Sequence, residues 1–217
     1  RVDNETRSPY NFLIIYMTPS LMNIIAHQRY GKKWAAGIKA NLKELGLDKR
    51  PLHIISANMH SVLNLLYGFS ATTCTPIKAD PETPLYDFIN CIRDQRDAII
   101  AYAKQHGFHE FSDRSGSHVD YQIIDTEQIE TLSFHPDTSI AIKCQAGAAG
   151  GKEEKPVILV MDYAFGAQAF EVMDCLLNPY EGAVSSNEQP YRQFMNVASI
   201  SIMGKAGILP GNKGDIM

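Results

Sequence analysis

The sequence predicts an α/β fold with a largely parallel or mixed sheet and flanking helices. Three observations lead there. Short β-branched and apolar runs, such as residues 52–56 (LHIIS) and 157–161 (VILVM), read as buried strands. Longer stretches with apolar residues near the 3.6 period lie between them. Glycine and proline punctuate the boundaries.

Residues 11–16 (NFLIIY) read as the first strand. Thr18-Pro19 supplies an N-cap and a first-turn proline, so a helix follows, in one or two pieces, to Leu45. Gly46 stops it, while Gly31 and Gly37 interrupt its propensity. Residues 51–56 form the next strand, and 58–66 a helix with Met59, Val62, Leu63 and Leu66 on one face. Residues 70–84 are rich in proline and threonine and read as a loop. Residues 87–106 predict one amphipathic helix ended by Gly107, with Arg93, Asp94, Arg96 and Asp97 on a solvent face laced by ion pairs. Residues 108–118 read as a polar loop, and 119–124 and 139–144 as strands. The run 147–155 (GAAGGKEEK) reads as a flexible connection. A phosphate cradle is the alternative, but the run lacks the spacing and the Lys-Ser/Thr pair of a P-loop. Residues 157–161 are a strand, Ala167–Leu177 a helix stopped by Asn178-Pro179, 179–192 a polar loop and 197–203 a strand. The expected organisation is an α/β region over 1–145, a linker over 146–156 and a further unit over 157–217.

Composition narrows the function classes. Apolar residues make up 45% of the 217 residues and charged residues 20%, ordinary values for a globular chain. The formal net charge is -4, without the basic stripe of a nucleic-acid binder. Cys74, Cys91, Cys144 and Cys175 form no C-x-x-C pair and have no histidines at zinc spacing, so no metal site is expected and a reducing compartment is. The opening residues are not a signal peptide, and no apolar run reaches the ~18 residues of a membrane span, so a cytoplasmic location and no membrane partner are expected. The chain opens on Arg1 and stops at Met217, where the pattern starts a new strand, so part of a longer polypeptide is expected.

Two places carry candidate chemistry. Residues 199–209 (SISIMGKAGIL), followed by 210–216 (PGNKGDI), form a strand whose carboxyl end opens into a glycine-rich turn. Open α/β sheets bind ligands at that end, and Gly204 and Gly207 let a ligand approach the backbone closely. The second place is 53–61 (HIISANMHS), where Ser56, Asn58 and His60 cluster at a strand's carboxyl end. Helix capping by Asn58 or Ser56 is the plainer reading, and a ligand site at Asn58 and His60 the sharper one. His106, His109 and His118 fit no metal spacing.

The turn Gly204-Lys205-Ala206-Gly207-Ile208-Leu209 with Gly214-Asp215-Ile216, and the upstream Phe165-Gly166-Ala167-Gln168-Ala169, resemble the nucleoside phosphorylase superfamily. That superfamily includes AMP nucleosidases. Residues 157–217 carry the resemblance as a phosphorylase-like β-α-β unit. It implies cleavage of an N-glycosidic bond in a nucleoside or nucleotide, by phosphorolysis or hydrolysis, through an oxocarbenium-like state. It also implies a homo-oligomer, with no cofactor beyond inorganic phosphate as co-substrate. Gly166, Gly204, Lys205, Ala206 and Gly207 would line the pocket. Lys205 departs from the family's small residue. It either holds a phosphate as a point charge or points to solvent. Ile208 replaces the usual second glycine. The family's catalytic groups would lie beyond Met217. The alternative is a non-catalytic sensor or scaffold that binds a nucleotide on the same fold.

Overall fold

The computed structural model describes residues 27–75, 77, 79–140, 142, 145–146, 153–181 and 192–203. The strand expected at 11–16, the helix start at Thr18-Pro19 and the glycine turn after Met203 lie outside the described residues.

Helix α1 (His27–Glu44) runs unbroken through Gly31 and Gly37. Gly31 is there for contact rather than for a bend. A Cβ on it would sit 3.1 Å from Cys175 Sγ and 3.4 Å from the Glu171 carbonyl. The helix ends as its sequence predicts: Gly46 has φ +70, its N–H donates to Lys43 O, and Leu47 N–H donates to Leu42 O.

Strand β1 (Leu52–Ser56) leads into α2 (Met59–Cys74). This helix overruns the expected loop at 70–84 by more than a turn. The Thr72 and Thr73 hydroxyls donate to the carbonyls three residues back, and Thr75 to Ala71 O, so these residues close the helix from within. Ser70, buried, bonds both the N–H and the carbonyl of Ser133.

The helix expected over 87–106 is divided. Helix α3 (Leu85–Ile92) and α4 (Arg96–Ala103) are joined by a 3₁₀ turn over Arg93–Gln95. Phe88 and Ile92 before the turn and Ile99, Ile100 and Ala103 after it face one core. Gly107 follows with φ +78, packed against Asp125 O. The polar stretch beyond it is not all loop. Phe108–Phe111 form β2, antiparallel to β3 (Tyr121–Asp125). Its residues looked loop-like because His109 and Glu110 are polar and the strand lies at a sheet edge.

Ser139, Ile140 and Ile142 are not in a strand, contrary to expectation. The expected linker instead contributes to a small ribbon, β4 (Gln145–Ala146) paired antiparallel with β5 (Glu153–Glu154). Strand β6 (Val157–Met161), α5 (Gly166–Leu177) and β9 (Val197–Ile202) then follow. Between α5 and β9 lies a second ribbon, β7 (Tyr180–Glu181) with β8 (Arg192–Gln193).

The main sheet has the order β2-β3-β6-β1-β9. Strand β1 pairs in parallel with both β6 and β9, while β3 pairs antiparallel with β6. The sheet is therefore mixed. It spans the expected linker without a break, since β6 lies between β3 and β1. One face carries Ile124 and Val160 under α2, α3 and α4. The other carries Ile54, Ile123, Leu159 and Met161 under α1 and α5. Trp34 anchors α1 by donating from Nε1 to Val119 O at 2.7 Å. Lys39 closes the far end of α5, donating to the carbonyls of Cys175 and Asn178, where a cation suits the helix dipole.

Arg50 ties the amino ends of the parallel strands. Its guanidinium meets Asp125 Oδ1 at 2.8 Å, Lys155 O at 2.8 Å and Pro156 O at 3.3 Å. Both partners of the ion pair are nearly buried. Arg50→Ala leaves Asp125 without its countercharge and is expected to cost about 3 kcal/mol in a denaturant titration. A loss within experimental error contradicts the clamp. Gly31→Val is expected to cost about 1–3 kcal/mol by forcing α1 from α5. Adding Cys175→Ala should recover part of that loss, and a cycle without coupling contradicts the close approach.

Candidate functional site

Strand direction decides where a ligand can sit. Adjacent parallel strands β1 and β6 send their following helices to opposite faces: α2 packs on the Val160 face and α5 on the Leu159 face. Such a switch point leaves a crevice at the strands' carboxyl ends. There Ala57 N–H donates to Met161 O at 3.1 Å and Met203 N–H to Ser56 O at 2.8 Å, so the three parallel strands end level.

Asn58 and His60 stand at this edge. The capping reading holds for Asn58, whose Oδ1 accepts the His60 N–H at 2.9 Å. Both side chains also line a cleft of about 370 Å³, with Asn64 on the same helix and Asn90, Arg93 and Arg96 opposite. Positions 93 and 96 are three residues apart across the 3₁₀ turn. Side chains at that spacing nearly eclipse there, so both arginines reach one cleft.

The hydrogen bonding on and behind the cleft's lining is unusual. Asn64 is buried, and its Oδ1 has no partner. Arg96 Nη2 pairs with Glu110 Oε1 at 2.7 Å, while its Nε is buried without a partner. The same Glu110 oxygen accepts from Gln122 Nε2 at 3.1 Å, and Gln122 Oε1 is again buried and unpartnered. Buried polar groups are nearly always paired, so three orphans in this neighbourhood require an explanation. His60 is held below the ordinary histidine pKa, first by desolvation and then by Arg96, with Arg93 adding and Glu110 and Asp162 opposing. Its imidazole is therefore neutral at pH 7, with one nitrogen to donate and one to accept.

A larger cleft of about 700 Å³ opens beside β2, lined by Lys33, Asn41, Phe111, Arg114, Ser115 and Tyr121. Glu110 and Asp113 also line it, and several of its polar groups are bonded to one another. Asn41 Nδ2 donates to Tyr121 Oη at 2.7 Å. Asp113 accepts the backbone N–H groups of Ser115, Gly116 and His118 at 2.8, 3.1 and 2.7 Å. Burial alone would raise the Asp113 pKa, but these bonds outweigh it and hold the carboxyl below the usual range. They also hold His118 at φ +58. The smaller cleft is the better site because its polar atoms await a partner.

The sequence-derived residues are divided by the structure. Asn58 and His60 lie in the small cleft. Gly166 opens α5 with φ +55 and nothing within 4 Å of a Cβ, on the opposite face. Gly204, Lys205, Ala206 and Gly207 lie outside the described residues. Asn64, Arg93, Arg96, Glu110 and Gln122 were missed as a site. The sequence places both arginines on a solvent face, and Arg93 is exposed there. Arg96 is partly buried and pairs with Glu110 on β2, where the sequence predicts a loop. The available signals were a lone Asn inside an apolar helix and a lone Gln inside an apolar strand.

Against known proteins, residues 8–79 and 87–217 match a family described as a family of unknown function, DUF6909. The chain belongs to DUF6909. No curated protein and no solved structure matches it. Membership of DUF6909 leaves the resemblance to nucleoside phosphorylases where the sequence left it. Among the described residues no helix is long and apolar enough to cross a membrane, and no three His, Cys, Asp or Glu side chains are grouped to hold a metal.

A depressed histidine pKa has a definite sign. The unfolded chain takes up the proton first, so stability falls as pH drops below about 6.5. NMR titration of His60 should give a midpoint below about 6.5, moving up in Arg96→Gln. A midpoint at or above that value contradicts the electrostatic account.

Proposed function

We propose that this protein binds a nucleoside or nucleotide in the cleft between the start of α2 and the α3–α4 turn, around Asn64 and Arg96. One observation carries the reading: buried, unpartnered polar atoms stand beside a cleft between the start of α2 and the α3–α4 turn, next to the carboxyl end of β1. Pairing them with ligand groups would relieve a cost of about 1–3 kcal/mol for each.

The reaction proposed for such a ligand is cleavage of its N-glycosidic bond, with water or inorganic phosphate as acceptor. Support for it comes from the resemblance of residues 157–217. The non-catalytic sensor is the second reading, and the cleft's charge favours it. Arg93 and Arg96 line the site, Glu110 is committed to Arg96, and Asp94 is the acidic side chain on the lining. An oxocarbenium-like state wants negative charge beside it, and two guanidinium groups oppose that. The expected setting is a cytoplasmic homo-oligomer that takes small molecules rather than nucleic acid.

Incubation with AMP, inosine and uridine, with and without phosphate, separates the readings. Free base that depends on phosphate means phosphorolysis, and free base without phosphate means hydrolysis. Binding of AMP by calorimetry with no base released supports the sensor. Absence of both binding and release sinks the proposal.

A further inference from the structure

The cleft's donors and acceptors specify which end of a ligand it holds. Residues 58–96 supply its lining, outside the segment that resembles a known family. Resting on the reading that the cleft holds a nucleoside or nucleotide, we infer that it takes the phosphorylated-sugar end, with a phosphate monoester against Arg93 and Arg96 and a sugar hydroxyl donating to Asn64 Oδ1.

Two guanidinium groups on one wall select an anion, and guanidinium forks match phosphate oxygens better than point charges do. Arg96 is preoriented for this. Glu110 holds Nη2 at 2.7 Å, and the buried Nε N–H has no partner. The amino end of α2 opens on the same cleft through Asn58, His60 and Ser61, adding the positive end of a 16-residue helix. Asp94 on the lining opposes an anion, but the two arginines outnumber it.

Asn64 adds the second requirement. Its Oδ1 is an acceptor, buried and unpartnered, on a side chain with 6% of its surface exposed for the whole residue. A phosphate dianion offers acceptors only and cannot satisfy it. A hydroxyl next to the phosphate can. His60, neutral, can accept from or donate to a further hydroxyl. The volume of about 370 Å³ lies at the low end of small-molecule sites, which suits a sugar phosphate.

Calorimetry on the full chain tests this with ribose 5-phosphate, inorganic phosphate and ribose. Ribose 5-phosphate should bind at least about tenfold more tightly than inorganic phosphate, and ribose should give no measurable heat. Arg93→Ala, an exposed position, should weaken both phosphates about tenfold. Asn64→Leu, of similar volume, should erase the advantage of ribose 5-phosphate over phosphate without lowering the melting temperature. Should Asn64→Leu fail to fold, Arg93→Ala still decides the anion. Equal affinity for ribose 5-phosphate and phosphate, an unchanged Arg93→Ala, or no binding of either phosphate overturns the inference. AMP that binds no more tightly than ribose 5-phosphate would remove the nucleobase from the proposed function and leave this inference intact. AMP binding without ribose 5-phosphate binding would do the reverse.

Discussion

Strand β6 is hydrogen-bonded on both sides, to β1 in parallel and to β3 in antiparallel, and the fold hangs on that placement. Val157, Leu159, Val160 and Met161 are essentially inaccessible to water, so β6 feeds side chains to both cores. A parallel partner demands a long crossover, and here the crossover holds α2, α3, α4, β2, β3 and the β4–β5 ribbon. Helix α5 leaves β6 for the other face. The crevice between β1 and β6 is therefore a consequence of chain direction rather than of any loop. Arg50 and Asp125 fasten the opposite end of the same strands.

Much of this fold was legible from local pattern. Strands β1, β6 and β9 are short apolar or β-branched runs, and Gly46 closes α1 with a positive φ, whereas α4 stops at Ala103, four residues before the Gly107 expected to end it. The failures share one cause, which is tertiary satisfaction of polar groups. Ser70, Thr72 and Thr73 look like loop residues until Ser133 and the helix carbonyls are seen to use them. Strand β2 looks like a loop until Glu110 meets Arg96 and Gln122. The break at Arg93–Gln95 left little trace because the apolar residues on both sides still meet the same core.

The site was less legible than the fold, for the same reason. Asn58 and His60, the cleft residues nearest a strand end, stand out in the sequence. Asn64 does not, as a polar residue inside an apolar helix, nor does an arginine pair whose alignment depends on a 3₁₀ turn. Glycine content drew attention instead to the turn after β9, while Gly166 turned out to serve the entry to α5. Cleft size was also a poor guide. Much of the larger opening beside β2 is lined by groups bonded to one another, as in the Asp113 loop and the Asn41–Tyr121 pair.

The central claim is that the cleft between the start of α2 and the α3–α4 turn, through Asn64 and Arg96, is where this protein meets its ligand. Backbone amide shift mapping with AMP tests it most directly, because it locates binding without assuming a reaction. The account predicts that the largest shifts fall at Asn58–Asn64, Asn90–Arg96 and Asp162, with the Arg96 Nε–H resonance moving as it gains a partner. Shifts concentrated instead at Lys33, Asn41 and residues 112–118, with the Arg96 resonance unmoved, would contradict it.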